Sequence, residues 1–112
     1  DPTEVGKKMA DWLVDLLTEG PLVAMLLSGE NCIGTVRKIV GHTFGDKAIP
    51  GTIRGDFSLE RGYYGFAKKR AARNLIHASG TPQEAQLEIQ LWFKQDELHS
   101  YARADQKLLW GE

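Results

Sequence analysis

Apolar residues fall along this chain in two rhythms. The first is helical: Val5, Met9, Leu16 and Leu17 share one side with Trp12 beside them, while Lys7, Lys8, Asp11, Asp15 and Glu19 lie elsewhere. Asp1-Pro2-Thr3-Glu4 opens this run as a helix start, with Asp as cap, Pro in the first turn and Glu three residues after the cap. Gly20 closes it. Leu22 to Leu27 is then a continuous apolar run between Gly20-Pro21 and Ser28-Gly29, short enough for a buried strand. From Asn31 to Val40 the helical spacing returns, with Cys32, Ile33, Val36, Ile39 and Val40 apolar, Arg37 and Lys38 basic, and Gly41 as the stop. Residues 42 to 53 hold three Gly or Pro residues among polar ones and read as a long, functional loop.

The second half repeats the alternation of rhythms. Asn74 to Ala78 alternates polar and apolar character around Leu75 and Ile76, the pattern of a short strand. Ser79-Gly80 breaks it. Thr81-Pro82-Gln83-Glu84 then has the form of a capping box, and Ala85, Ile89, Trp92 and Phe93 follow at helical spacing. His77 therefore sits at or near a strand end just before a helix. Glu88, further along that helix, is placed to point back at it. A histidine held by a carboxylate has a fixed tautomer and a more basic ring, which suits a nucleophile or a general base.

Composition narrows the class. The 112 residues form one domain, 1–112, with 14 Lys plus Arg against 15 Asp plus Glu. That near-neutral balance argues against bulk capture of nucleic acid or a membrane, though not against a local basic pocket. The single Cys32 excludes an intrachain disulfide and fits a reducing compartment. With no bilayer-length apolar run and no signal-peptide pattern at the start, the expectation is a cytoplasmic protein. Residues 58–72 interleave aromatic and basic side chains. They read as a solvated basic surface loop or short helix, or more sharply as a lid or an oligomer contact; stacking on nucleic acid is the weakest reading. The tail from Lys94 ends in Leu108, Leu109 and Trp110, an apolar tip expected to dock on the body or on a neighbouring subunit.

Several linked motifs, in order from about Gly20 to Phe93, carry a resemblance to a known family. Arg73-Asn74-Leu75-Ile76-His77-Ala78-Ser79 resembles the active-site segment of nucleoside diphosphate kinases. Pro50-Gly51-Thr52-Ile53-Arg54-Gly55-Asp56-Phe57 is similar to that family's phosphate-binding stretch. Gly20 to Met25 resembles its central-strand entry, and Gly29-Glu30-Asn31 followed by Arg37 its nucleotide-gripping helix. The compact form of the family joins the two central motifs by a shorter link, so residues 58–72 look like an insertion of about ten residues, the kind of change surface loops tolerate.

The resemblance implies an α+β fold, a ferredoxin-like sandwich with a four-stranded antiparallel sheet. The family's N-terminal strand-helix-strand, with its Lys-Pro-Asp motif, has no counterpart here, and its first strand lies between those expected at 22–27 and 74–78. A fragment, or joined and renumbered residues, is therefore expected, and a poor catalyst as the sequence stands. Strands supplied by another chain are the alternative. The implied activity is transfer of the γ-phosphoryl group from a nucleoside triphosphate to a nucleoside diphosphate, in ping-pong fashion through a phosphohistidine at His77. Glu88 would orient the ring, with Ser79 close to that carboxylate. Arg37, Thr43 and Arg54 would contact phosphate, and Asn74 the sugar hydroxyl. Base stacking falls by register on Met9, with Trp12 close by. Mg²⁺ would arrive with the nucleotide, without a dedicated protein metal cage, and Asp56 would serve the loop rather than a metal. Nucleoside di- and triphosphates are the implied partners, and a homo-oligomer, tetramer or hexamer, the implied assembly. The alternative from another class is a non-catalytic nucleotide-binding module of the same fold.

Overall fold

The computed structural model describes residues 1–111. The Asp1 carboxylate accepts the Thr3 amide at 3.0 Å, Pro2 occupies the first turn, and helix α1 runs Pro2–Leu17. The local signals placed its start correctly because each acts within one turn. Helix α2, Cys32–Val40, ends at Gly41, whose φ of 91° lies where a side chain is costly. A Cβ on Gly41 would also come within 2.5 Å of the Thr52 hydroxyl. The expected loop 42–53 contains one turn of 3₁₀ helix, Gly45–Lys47, and runs into helix α3, Ile53–Phe57, capped by Thr52.

The segment 58–72 forms a short helix, α4, Gly62–Ala67. It leans on α1 through an edge-to-face contact between Trp12 and Phe66, ring centroids 5.9 Å apart. Helix α5, Pro82–Trp92, starts where the capping box placed it, with Thr81 Oγ1 accepting the Glu84 amide at 3.1 Å. A 3₁₀ turn, Gln95–Glu97, and helix α6, Gln106–Trp110, complete the described chain. Leu108, Leu109 and Trp110 remain exposed, so the expected docking of the apolar tip on the body does not occur. The Arg103 guanidinium lies over the Trp110 ring at 5.9 Å, and α6 faces the turn Ser28–Glu30 across a shallow cleft. The last residue of that tail, Glu112, lies outside the described residues.

The expected antiparallel sheet is absent: no strand is present among the described residues. A strand exists by its ladder, and neither expected strand finds one. Residues 22–27 make no main-chain hydrogen bond to any other described residue. The segment 74–78 is not regularly extended, because Leu75 has φ of 72° and the amides of Asn74 and Ile76 turn back on Ala72 O and Asn74 O. Both runs have strand-like sequences, but among the described residues no strand lies beside either to pair with its main chain. The ferredoxin-like reading is corrected accordingly.

Without a sheet there is almost no apolar core. Val40 is the only buried apolar side chain among the described residues, and Val23, Leu22 and Met25 stand in solvent. The radius of gyration is 16.9 Å, against about 13 Å for a compact chain of this length. The accessible surface is 9424 Å², about half as much again as the roughly 6,200 Å² expected of a compact monomer of this mass. What is buried is a polar knot, Thr52, Arg54 and Ser58, where the 41–45 loop crosses α3. Gly45 permits that crossing, since a Cβ there would stand 2.0 Å from the Ser58 carbonyl oxygen.

Candidate active site

The site is assembled at the N-terminus of α5. Glu84 and Glu88, one helical turn apart, face the same tight segment. The Glu84 carboxylate accepts the Gly80 amide at 2.7 Å, which holds the chain entering the helix. Glu88 takes two partners: Oε1 lies 2.8 Å from His77 Nε2, and Oε2 accepts the Ser79 hydroxyl at 2.5 Å. A carboxylate only accepts, so its partner assigns the proton to Nε2 and leaves the lone pair on Nδ1. The ring is otherwise open, with the His77 side chain 68% exposed and that of Glu88 31%. The Ser79 hydroxyl, and behind it the His77 ring, hold the Glu88 carboxyl below its ordinary value, while partial burial works the other way.

Two arginines approach the same segment. Arg37, from α2, donates through Nη1 to Ala78 O at 3.1 Å and is otherwise exposed. Arg54, from α3, is only 6% exposed. Its Nε donates to Asn74 O at 3.1 Å, Nη1 to Gly41 O at 3.3 Å, and Nη2 to Ile76 O. Burial, and after it the charge of Arg37, pulls the Arg54 guanidinium down from its ordinary value. Ser58 completes the set by donating to Arg73 O at 3.1 Å. Both guanidinium groups thus bond the main chain of the segment that carries His77.

The other expected site residues are more scattered. The Asn74 side chain is half-buried, and its carbonyl oxygen is what Arg54 holds. Thr43 lies exposed in the loop after α2. The Asp56 carboxylate accepts the Gly51 amide at 2.8 Å, the loop role expected of it. Met9 and Trp12 both lie on α1, but only Trp12 lines the cleft between α1 and α4, about 660 Å³, with Val5, Lys8, Tyr63, Phe66 and Lys69. No group of three or more His, Cys, Asp or Glu side chains is placed to hold a metal among the described residues.

Sequence reasoning missed Ser58 and the ion pair of Glu19 with Arg73. That pair is bidentate, at 2.9 and 3.0 Å, and ties the end of α1 to the residue before Asn74. Neither carries a local signal, because each partner is distant along the chain.

The site thus joins a histidine held by a carboxylate to a main-chain segment gripped by two arginines. Comparison with known proteins gives the family. A family model for nucleoside diphosphate kinase matches residues 3–98. The nucleoside diphosphate kinase of Pyrobaculum aerophilum is 44% identical over 98 residues, which cover 88% of this chain and 54% of that protein. That of Archaeoglobus fulgidus is 45% identical over 100 residues, covering 89% and 60%. Among solved structures, an NDP kinase from P. aerophilum superposes with a TM-score of 0.83 at 44% identity, covering 87% of this chain and 53% of that one. A transition-state mimic of the Borrelia burgdorferi nucleoside-diphosphate kinase, with bound vanadate and ADP, superposes with a TM-score of 0.66 at 44% identity, covering 69% and 46%. This chain belongs to the nucleoside diphosphate kinase family. It spans between half and three-fifths of the length of these curated relatives.

Proposed function

We propose that the chain carries the phosphoryl-relay site of a nucleoside diphosphate kinase, with His77 as the relay. The observation that carries this reading is the chain of contacts Ser79–Glu88–His77, which leaves the lone pair on Nδ1 of a largely exposed ring. The Nδ1 lone pair attacks the γ-phosphorus of a nucleoside triphosphate. The bond to the β–γ bridging oxygen breaks, its electron pair stays on that oxygen, and the diphosphate departs. The phosphorylated ring is cationic, and Glu88 balances that charge while keeping the ring oriented. A terminal oxygen of a second nucleoside diphosphate then attacks the phosphorus and returns the electron pair to Nδ1. The two half-reactions share one site, which is the ping-pong scheme.

Arg37 and the two Arg54 N–H groups not engaged by carbonyls supply donors for phosphate oxygens. Thr43 and Asn74 contact phosphate and sugar. Met9, or Trp12 in the cleft beside α4, stacks on the base in this reading. Mg²⁺ enters as part of the nucleotide substrate, ligated by phosphate oxygens and water. Assembly as a homo-oligomer and residence in the cytoplasm belong to the same reading. The relatives are named as nucleoside diphosphate kinases, which supports it.

Intact-mass spectrometry before and after brief incubation with Mg²⁺-ATP tests this. One acid-labile phosphoryl group is expected, absent in His77→Ala. Saturable ATP binding with no phosphoryl gain overturns the relay and favours the non-catalytic nucleotide-binding module.

A further inference from the structure

The segment carrying His77 has no sheet to hold it, yet its carbonyl oxygens are not idle. Those of Arg73, Asn74, Ile76 and Ala78 each accept from a side chain: Ser58, Arg54, Arg54 again, and Arg37. Arg54 alone among these donors is both charged and buried. We propose that Arg54 is a positioning residue for His77, whose guanidinium grips the main chain on both sides of Leu75 and thereby sets where the imidazole meets Glu88.

The physical argument starts at Leu75. Its φ of 72° is a left-handed conformation that a leucine adopts only when its surroundings impose it. The carbonyl groups on either side of it, Asn74 and Ile76, are the two that Arg54 takes with Nε and Nη2. A planar fork with fixed donor directions suits two carbonyl oxygens two residues apart; a lysine ammonium, a single point charge, cannot span them in the same way. The fork is itself anchored. Nη1 donates to Gly41 O at the end of α2, and α3 is fixed by the Thr52 hydroxyl, which accepts the Gly55 amide and donates to Ile49 O at 2.7 Å. His77 follows Ile76 directly, so displacement of that carbonyl moves the ring relative to Glu88. The positioning role needs three of the five guanidinium N–H groups, so it coexists with a phosphate contact. Its meaning for catalysis rests on His77 being the relay, but its test does not.

The test uses nucleotide-free protein. In Arg54→Lys, charge is kept and the fork is lost. The His77 ring ¹⁵N resonances are expected to move at fixed pH, and the amides of 75–78 to exchange about tenfold faster or more, while those in the middle of α5 stay protected. A residue that only contacts phosphate changes neither quantity before nucleotide is added, so unchanged resonances and exchange overturn the proposal. A second measurement on the unsubstituted chain covers the case in which Arg54→Lys fails to fold. The Arg54 Nε proton should exchange slowly and show a scalar coupling to the Asn74 carbonyl carbon. An Arg54 Nε proton that exchanges as fast as that of exposed Arg37 overturns it as well. Because none of these readouts needs phosphoryl transfer, failure of the positioning role is separable from failure of the kinase reading.

Discussion

Residues 22–27 and 74–78 are both strand-like in sequence and neither joins a sheet among the described residues, yet their fates differ. Leu22–Leu27 offers apolar side chains to water, with Val23 89% exposed, and its backbone has no main-chain partner among the described residues. The 73–80 segment is held by Ser58, Arg54, Arg37, Glu84 and Glu88. The difference lies in who supplies the hydrogen bonds. A run of leucines, valine and methionine depends wholly on neighbours for burial, whereas the histidine segment meets arginine forks and helix carboxylates that reach it from a distance. The apolar run is therefore the part of this chain without main-chain partners, and the polar site is the part whose backbone is held.

The contrast is broken most directly by removing the donor. Arg54→Ala leaves the carbonyl groups of Asn74, Ile76 and Gly41 without their charged donor and is expected to cost about 3 kcal/mol in chemical denaturation. Val23→Ala, the matching substitution in the apolar run, is expected to change stability by less than about 0.5 kcal/mol, since its side chain already stands in solvent. Equal effects would show that the two segments are held alike.

Next in size is the cap of the helix that carries both carboxylates. Thr81→Ala removes the acceptor for the Glu84 amide and should cost about 1 kcal/mol, read as earlier thermal loss of helical circular dichroism. Retention of full stability would mean that Glu84, through Gly80, holds the helix start by itself.

Ser79→Ala sharpens the comparison at the site. Glu88 lies below its ordinary carboxyl value of 4.5, chiefly because Ser79 donates to it. A carboxyl depressed in the folded state stabilises the fold above its unfolded value, and that contribution fades as pH falls through the folded value. The acid side of the stability profile, below about pH 4.5, is where Glu88 acts. In Ser79→Ala the ¹³C titration of Glu88 should move up, and the acid-side loss of stability that Glu88 causes should shrink. A titration that stays in place assigns the depression to His77.

The smallest effect is expected at the exposed tie between α1 and the site. Arg73 holds Glu19 below its ordinary value, and Glu19 raises Arg73. Both side chains are half in solvent, so Glu19→Gln should give a small loss that disappears at high salt. A loss that persists in salt would show that the tie orders the segment rather than merely touching it.

Local chemistry settled much of this protein in advance. Caps and periodicity located α1, α2 and α5, since a helix satisfies its backbone within its own span and its ends are marked by residues one turn away. The spacing from His77 to Glu88 likewise placed ring and carboxylate together, because a short turn into a helix leaves little freedom between them. Tertiary structure alone decided the rest. Strand sequence is a claim on a neighbour, and 22–27 and 74–78 have none among the described residues, so no ladder formed. The same is true of Arg54 and Ser58, whose partners lie 15 to 22 residues further along and leave no local trace. Elements that close their hydrogen bonds internally can be read from a sequence, whereas those that borrow them from afar must be seen folded.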